Sequence, residues 1–351
     1  MELNCYHWQP YKAFHFGQRG VGIEASGDHA PSDTIFSAVC HMLRHLHGTG
    51  TLEGFLKACQ IGNPPFLVSG GFPFVLLDGK PLRFYPAPMS LRNASPDERD
   101  RFDKKMFKAH WVSETIFQSY VQQGKLRSAE LFPAMSALTT SAERDPIMGA
   151  YGKTYQQEQK TLKLWVVDDV PRVALDRVTN ASNIYRAGLV TFAEGGGLWV
   201  GVQQLDAAWC ELMLPTVMTA LGDEGIGGER SSGYGQFQVR QDWTVVHQYP
   251  DAAQSTRFIT LSHYRPASDD EAVLTLGERS AYGLDVRRGW MGSPESSALR
   301  RRAVRMVTIG SVLQSIRGQH IYGSLANVTP DNFTRHAVWR SGLALPIGLG
   351  N

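Results

Sequence analysis

Cysteine is scarce in this 351-residue chain: only Cys5, Cys40, Cys59 and Cys210, with no CxxC pair. That spacing argues against a zinc ribbon or a disulfide framework and fits a reducing compartment. Long apolar runs are missing as well. The longest, Phe72–Leu77, is far shorter than the roughly 20 residues that cross a bilayer. The opening Met-Glu-Leu-Asn-Cys has neither the basic start nor the apolar stretch of a signal peptide. These absences lead us to expect a cytoplasmic protein with no membrane partner. Charge of one sign is not in excess, since 35 basic and 33 acidic side chains leave a net +2. Lysine is the rarer base, ten against twenty-five arginines. Arginine's planar fork suits phosphate oxygens and stacks on bases, which leans toward a nucleic-acid partner; a GC-rich genome would produce the same bias.

Nucleotide-hydrolase and serine-hydrolase motifs are also absent from the one place that invites them. "GDEGIGGERSSGYGQF", Gly222–Phe237, places six glycines around Arg230, Ser231 and Ser232. A Walker loop would need lysine where Gly228 stands, and a dinucleotide fingerprint starting at Gly225 would need glycine where Arg230 stands. Glu229 and Arg230 occupy the first-glycine positions of any G-x-S-x-G, so a nucleophile elbow is excluded too. Two readings remain for Gly225, Gly227, Gly228, Gly233 and Gly235. They form a backbone cradle whose amides, with Arg230 and the serine hydroxyls, hold an anion. Alternatively, they form a tight turn that lets a helix and a strand pack closely.

What is present is a regular alternation of elements. Tyr11–Phe16 reads as a strand, and Pro31-Ser32-Asp33 starts a helix over Thr34–His47 with Ser32 or Asp33 as N-cap. Residues 61–160 read as a large insertion, with proline-broken strands and a charged helix near Pro96–Lys108. It closes with a long polar loop, Phe132–Glu158, which is a disordered excursion or a functional arm. Ile184–Phe192 and Leu198–Gln203 then form a hairpin about a Gly-rich turn. A helix over Asp206–Leu221, strained by Pro215, the glycine loop and a strand at Gln236–Arg240 follow. Without the insertion, this is the βαββαβ order of the ferredoxin-like fold, which includes RNA-recognition domains. The class is α+β, with a first domain over 1–242 and a second, smaller one over 243–351. That second region carries strands near Phe258–His263, Tyr282–Arg288 and Val304–Ile309.

The glycine loop, between second helix and last strand, resembles that of the RAMP superfamily of CRISPR-associated proteins. Further stretches are similar to the fourth Csm subunit of type III-A effector complexes: "FHFG" with "PSDTIFSAVCHML" (residues 14–43), "ALDRVTNASNIYRAGLVTF" (174–192), "TLSHYRPASDDEA", "RRGW" and "IGSVLQ". They follow family order from residue 11 to about 345. The resemblance implies two ferredoxin-like (RRM-like) domains. It also implies a non-catalytic subunit that anchors the repeat-derived 5′ handle of the crRNA. Its partners would be the large polymerase-type subunit and the backbone subunit that cleaves target RNA, with target RNA met only indirectly.

Candidate RNA-binding residues follow. The glycine loop and Arg230-Ser231-Ser232 would grip handle phosphates, with Tyr234 stacking or packing beside them. His15 and Arg19 would form a second wall. The resemblance also implies a thumb-like arm at 132–158, with Ile147, Met148 and Tyr151 as wedges and Lys153 and Tyr155 contacting backbone or base; a flexible insertion is the competing reading. His15 alternates with Phe14 and Phe16 and so faces away from them. It is also the one candidate general base for a metal-independent endoribonuclease that processes precursor RNA, although no acid or base partner is evident. His41 and His45 share a helical face but lack the glutamate of H-E-x-x-H, so we expect no metal there and no cofactor elsewhere. Arg279–Arg305 holds seven arginines and two acids. Arg300, Arg301, Arg302 and Arg305 there suit phosphates, an acidic protein surface or a guarded strand edge.

Overall fold

The computed structural model describes residues 1–17, 25–93, 109–124, 130–132, 137–158, 164–175, 182–292 and 299–350. Strand β1 (Glu2–Pro10) is followed by helix α1 (Ser32–Gln60), strands β2 (Phe66–Leu77), β3 (Lys80–Pro86) and β4 (Trp111–Ser113), and helix α2 (Glu114–Gln123). Short strands β5 (Glu130–Phe132) and β6 (Ala137–Thr139) precede helix α3 (Ser141–Glu158). A long ribbon, β7 (Trp165–Leu175) with β8 (Ser182–Phe192), leads to β9 (Gly197–Gln204), helix α4 (Ala207–Glu224) and β10 (Phe237–Gln248). Eight strands form one sheet in the order β10-β1-β9-β2-β3-β4-β6-β5. Its first four, with α1 and α4, are a split-βαβ arrangement: β1-α1-β2-β9-α4-β10 in sequence, fourth-first-third-second in space.

The expected order of elements is therefore present, but two of its strands lie elsewhere in the chain. The first core strand is Glu2–Pro10, not Tyr11–Phe16. That segment leaves the sheet after Pro10 and keeps only a bridge from Phe14 to Val190. Its alternation misleads because Phe14, His15 and Phe16 are all buried. The second core strand is β2, not Ile184–Phe192, which pairs with β7 in the ribbon. Ten successive residues of β2 are buried, so it carries no alternating signal. The insertion accordingly begins after β2, and β3 to β6 widen the sheet instead of standing apart from it. The helix expected near Pro96–Lys108 lies outside the described residues; the next residue, Ala109, is buried.

The polar loop expected at 132–158 contains α3. Thr140 and Glu143 form a reciprocal cap: the Thr140 amide donates to Glu143 Oε2 (2.8 Å) and the Glu143 amide to Thr140 Oγ1 (3.3 Å). One turn later Ile147 is fully buried, and the Tyr151 hydroxyl donates to the Leu76 carbonyl (2.7 Å), docking the helix on β2.

β10 runs to Gln248, past the expected boundary at 242. Beyond it lie β11 (Arg257–Thr260), helix α5 (Asp269–Thr275), β12 (Leu284–Arg287), β13 (Val304–Val307), β14 (Val312–Gln314), β15 (Leu325–Asn327), β16 (Trp339–Ser341) and β17 (Pro346–Gly348). They form a three-stranded sheet β14-β11-β17 and the pairs β12-β13 and β15-β16. Among the described residues this region has one α-helix, of seven residues, and one short 3-10 turn at Ala252–Gln254, and does not repeat the βαββαβ order.

Both regions share a core. Trp8 stacks on Phe237 (4.4 Å) in a cluster that also takes in Ile259, Leu261, Val312, Leu345 and Ile347. The polar fastening sits at the start of α1. Neither Ser32 nor Asp33 caps the helix, whose N-cap is Pro31. Ser32 Oγ instead accepts from the His263 amide (2.8 Å). The fully buried Asp33 carboxylate accepts from Arg287 Nη2 (3.1 Å) and Nε (3.2 Å) and from Arg340 Nη1. Burial lowers the Arg340 guanidinium to about 10 and lowers Arg287 as well.

Removing one member of a buried ion cluster strands the others without counter-charge. Asp33→Asn is expected to cost about 3–5 kcal/mol of unfolding free energy by urea denaturation, whereas the exposed Asp270→Asn will stay within about 0.5 kcal/mol. A second buried group gives an acid signature. His7 accepts from Arg83 Nε (2.9 Å), and Arg83 Nη1 donates to Glu114 (2.7 Å). Burial and then the Arg83 charge push His7 down to about 3 from an ordinary 6.5. Its folded value lies below the unfolded one, so its contribution is full above pH 6.5 and lost as pH falls toward 3. His7→Gln should flatten the stability–pH curve across that window.

Candidate nucleic-acid interface

The glycine loop follows α4 without a break in packing. Asp206 caps that helix by accepting from the Trp209 amide (3.0 Å), and Gly222, Gly225 and Gly235 let the chain fold tightly back toward β10. Gly227 has φ +90°, and a methyl group there would collide with the His15 carbonyl oxygen. Most of the glycine amides are already engaged: Gly225 donates to Leu221, Gly228 to His15 (2.9 Å), Gly233 to Arg230 and Gly235 to Ala13. The close-packing reading thus accounts for these four, and a cradle of glycine amides is not what the loop offers. The amides of Gly227, Glu229, Arg230, Ser231 and Gln236 have no backbone acceptor among the described residues. Arg230, exposed, pairs with Glu224 (2.8 Å), and Ser232 Oγ donates to Glu229 (3.3 Å). Tyr234 lies under the Arg172 guanidinium of the ribbon, 4.7 Å from its ring centre.

His15 does not face solvent as its alternation with Phe14 and Phe16 suggests. It is 6% exposed, because the ribbon and the glycine loop cover both sides of its segment. Its Nδ1 donates to the Gly188 carbonyl (2.6 Å). That bond fixes the tautomer and leaves Nε2 with the lone pair. Two of the three expected wedges are corrected. Ile147 is buried in the core and Tyr151 is tied to Leu76, so neither is free to intercalate, whereas Met148 is 36% exposed. Lys153 and Tyr155 lie on α3, but their side chains, like Arg19 altogether, fall outside the described residues.

The fold brings the loop, His15 and the arginine segment together. A cleft of about 480 Å³ runs between Gly225–Gly228, the first turns of α1 and Arg287–Gly292. Five arginines line it: Arg230, Arg287, Arg288, Arg301 and Arg340. Arg287 and Arg340 are spent on Asp33. For Arg288 and Arg301, no carboxylate among the described residues lies within ion-pair distance. Arg301 Nη1 donates to Ser37 Oγ (3.1 Å), and burial lowers its pKa, yet a guanidinium keeps its charge. Trp290 is 57% exposed, with the Arg300 guanidinium over one ring face (4.6 Å) and the cleft beside it. The arginine segment stands out by composition. Arg340 and Ser37, far away in sequence, give no signal. The cleft can hold a polyanion with an aromatic platform at its rim.

The profile of the CRISPR Csm4 C-terminal domain matches residues 253–349. Across the longer chain, the Csm4 protein of Thermococcus onnurineus (strain NA1) is 26% identical over 335 residues, 91% of each chain. That of Mycobacterium tuberculosis (strain ATCC 25618 / H37Rv) is 24% identical over 300 residues, 85% of this chain and 84% of the relative. The chain is thus similar to Csm4 proteins over most of its length, and its C-terminal region matches their C-terminal domain. Solved structures agree on the fold. A chain of the Csm3–Csm4 subcomplex of the type III-A CRISPR-Cas interference complex superposes with TM-score 0.63 at 14% identity over the whole of both chains. A chain of the Csm1–Csm4 cassette with pppApA gives 0.58 at 18% identity, covering 99% and 98%. Among the described residues no helix is long and apolar enough to cross a membrane.

The loop's packing against His15 is testable. Gly227→Ala adds a methyl group at positive φ against backbone, so unfolding free energy should drop by about 1–3 kcal/mol. Gly54→Ala, where nothing lies within 4 Å, serves as the unstrained control.

Proposed function

We propose that the chain is a non-catalytic subunit of a type III-A CRISPR interference complex that anchors the 5′ handle of the crRNA in the arginine-lined cleft. The observation that carries this reading is a convergence across two distant parts of the sequence. Arg288 and Arg301, without a carboxylate partner among the described residues, line one cleft with exposed Trp290 and with Gly227 and Arg230 of the loop, whose amides have no acceptor among the described residues. Phosphates meet guanidinium and amide donors, which set the strand's position, while unstacked bases meet the tryptophan. Solved relatives contain Csm1 with Csm4 and Csm3 with Csm4. By extension the chain docks the large polymerase-type subunit and the backbone subunit that cleaves target RNA, and meets target RNA only through them.

No step of RNA cleavage is assigned to it. Attack by a 2′-hydroxyl requires a base and an acid on either side of the phosphate. His15 is buried, and the one carboxylate lining the cleft among the described residues, Glu224, is paired with Arg230.

Binding of the full chain to a labelled repeat-derived RNA should weaken linearly on a log–log salt plot. Arg288→Ala is expected to shrink the slope by about one, and Trp290→Ala to cost about 1–3 kcal/mol. Salt-independent binding would sink the reading. Precursor RNA incubated with the chain is expected to stay intact for both wild type and His15→Ala; a cleavage product lost on that substitution would establish the endoribonuclease alternative.

A further inference from the structure

A second, smaller space opens from the cleft behind α1, with a volume of about 140 Å³. The two spaces share Ser37, His41, Met291, Gly292 and Arg301, so they adjoin. Beyond that mouth the walls turn apolar, with Leu52 and Leu56 from the second half of α1 facing Val338 and Trp339. The size suits one flat ring system and falls well below the roughly 300 Å³ at which pockets for larger ligands begin.

Ser37, His41 and His336 line it with groups that can donate or accept, but its permanent charges are of one sign. Among the described residues no acidic side chain lines it, while the guanidinium groups of Arg44 and Arg301 do, and a guanidinium only donates. Arg301 stands at the shared mouth. Its Nη1 is held by Ser37 Oγ, whose own proton goes to the Asp33 carbonyl (2.9 Å). Its Nε is buried and has no acceptor among the described residues. A buried donor with no acceptor is an energetic liability unless something arrives to meet it.

We propose that this side pocket receives one unstacked base of the strand bound in the cleft, and that Arg301 selects a base with an acceptor edge, guanine before the others. This rests on the RNA reading of the cleft. The apolar walls take the ring faces, as base-binding surfaces do. Guanine places O6 and N7 on one edge, where adenine puts a donor beside N7 and cytosine offers an amino group. Met291 and Trp339 set the depth, and Arg301 sets the preference.

The test uses the full chain and oligouridines of about eight nucleotides whose central residue is guanine, adenine, cytosine, uridine or abasic, followed by fluorescence anisotropy. Wild type should bind the guanine RNA about tenfold more tightly than the abasic one, a discrimination typical of one well-paired base. Arg301→Ala should bring the two together. So should Ala337→Trp, a substitution at an exposed lining position that fills the pocket without disturbing the core. Salt-dependent binding of all five RNAs with equal affinity overturns the pocket and leaves the cleft standing. A guanine preference that persists in both variants likewise overturns the pocket alone. Failure of wild type to bind any of them overturns both readings.

Discussion

A single carboxylate with no exposure to water, Asp33, holds two guanidinium groups that come from separate strands of the C-terminal region. Charges of that kind are tolerated inside a protein only when they neutralise one another and their donors are used. Arg287 belongs to β12, Arg340 to β16, and Asp33 to the first turn of α1, where a negative charge also suits the helix dipole. The three cannot be satisfied unless both regions are in place. The cleft wall that carries Arg288 and Trp290 is the continuation of the strand that Arg287 anchors, so the geometry of the candidate site is set by this buried cluster.

The chemistry of the cleft follows from what that cluster leaves over. Of five lining arginines, two neutralise Asp33 and one is paired at the surface with Glu224. Arg288 and Arg301 remain as positive charge without a counter-ion among the described residues, next to an aromatic ring already backed by Arg300. The glycine loop contributes shape more than donors: its glycines let the chain run against His15, and the amides left over sit at its apex, around Glu229 to Ser231. His15, for its part, is a strut between the ribbon and the loop.

Much of this architecture is legible in the sequence, and where it is not the reasons are physical. Helix α4 declares itself through Asp206 and its apolar spacing, and three of the seven strands of the C-terminal region, β11, β12 and β13, through short β-rich runs. The second core strand hides because β2 is covered on both faces, which erases alternation. The opposite error occurs at Tyr11–Phe16, where an alternating pattern sits on chain that is wrapped from both sides. Helix α3 is easily missed despite a readable Thr-Ser-Ala-Glu start, since only Ile147 and Tyr151 mark its inner face. Within the site, the glycine loop and the arginine segment stand out by composition. Nothing local could reveal that Arg340 and Asp33 meet across 307 positions, because that contact exists only once the core has formed.

That core has its own implication. Apolar side chains from the split-βαβ half and from the three-stranded sheet meet in one cluster, which ties together the two halves that supply the walls of the groove. A groove braced in this way works as a template: the conformational cost of association falls on the ligand, which must unstack and bend to match.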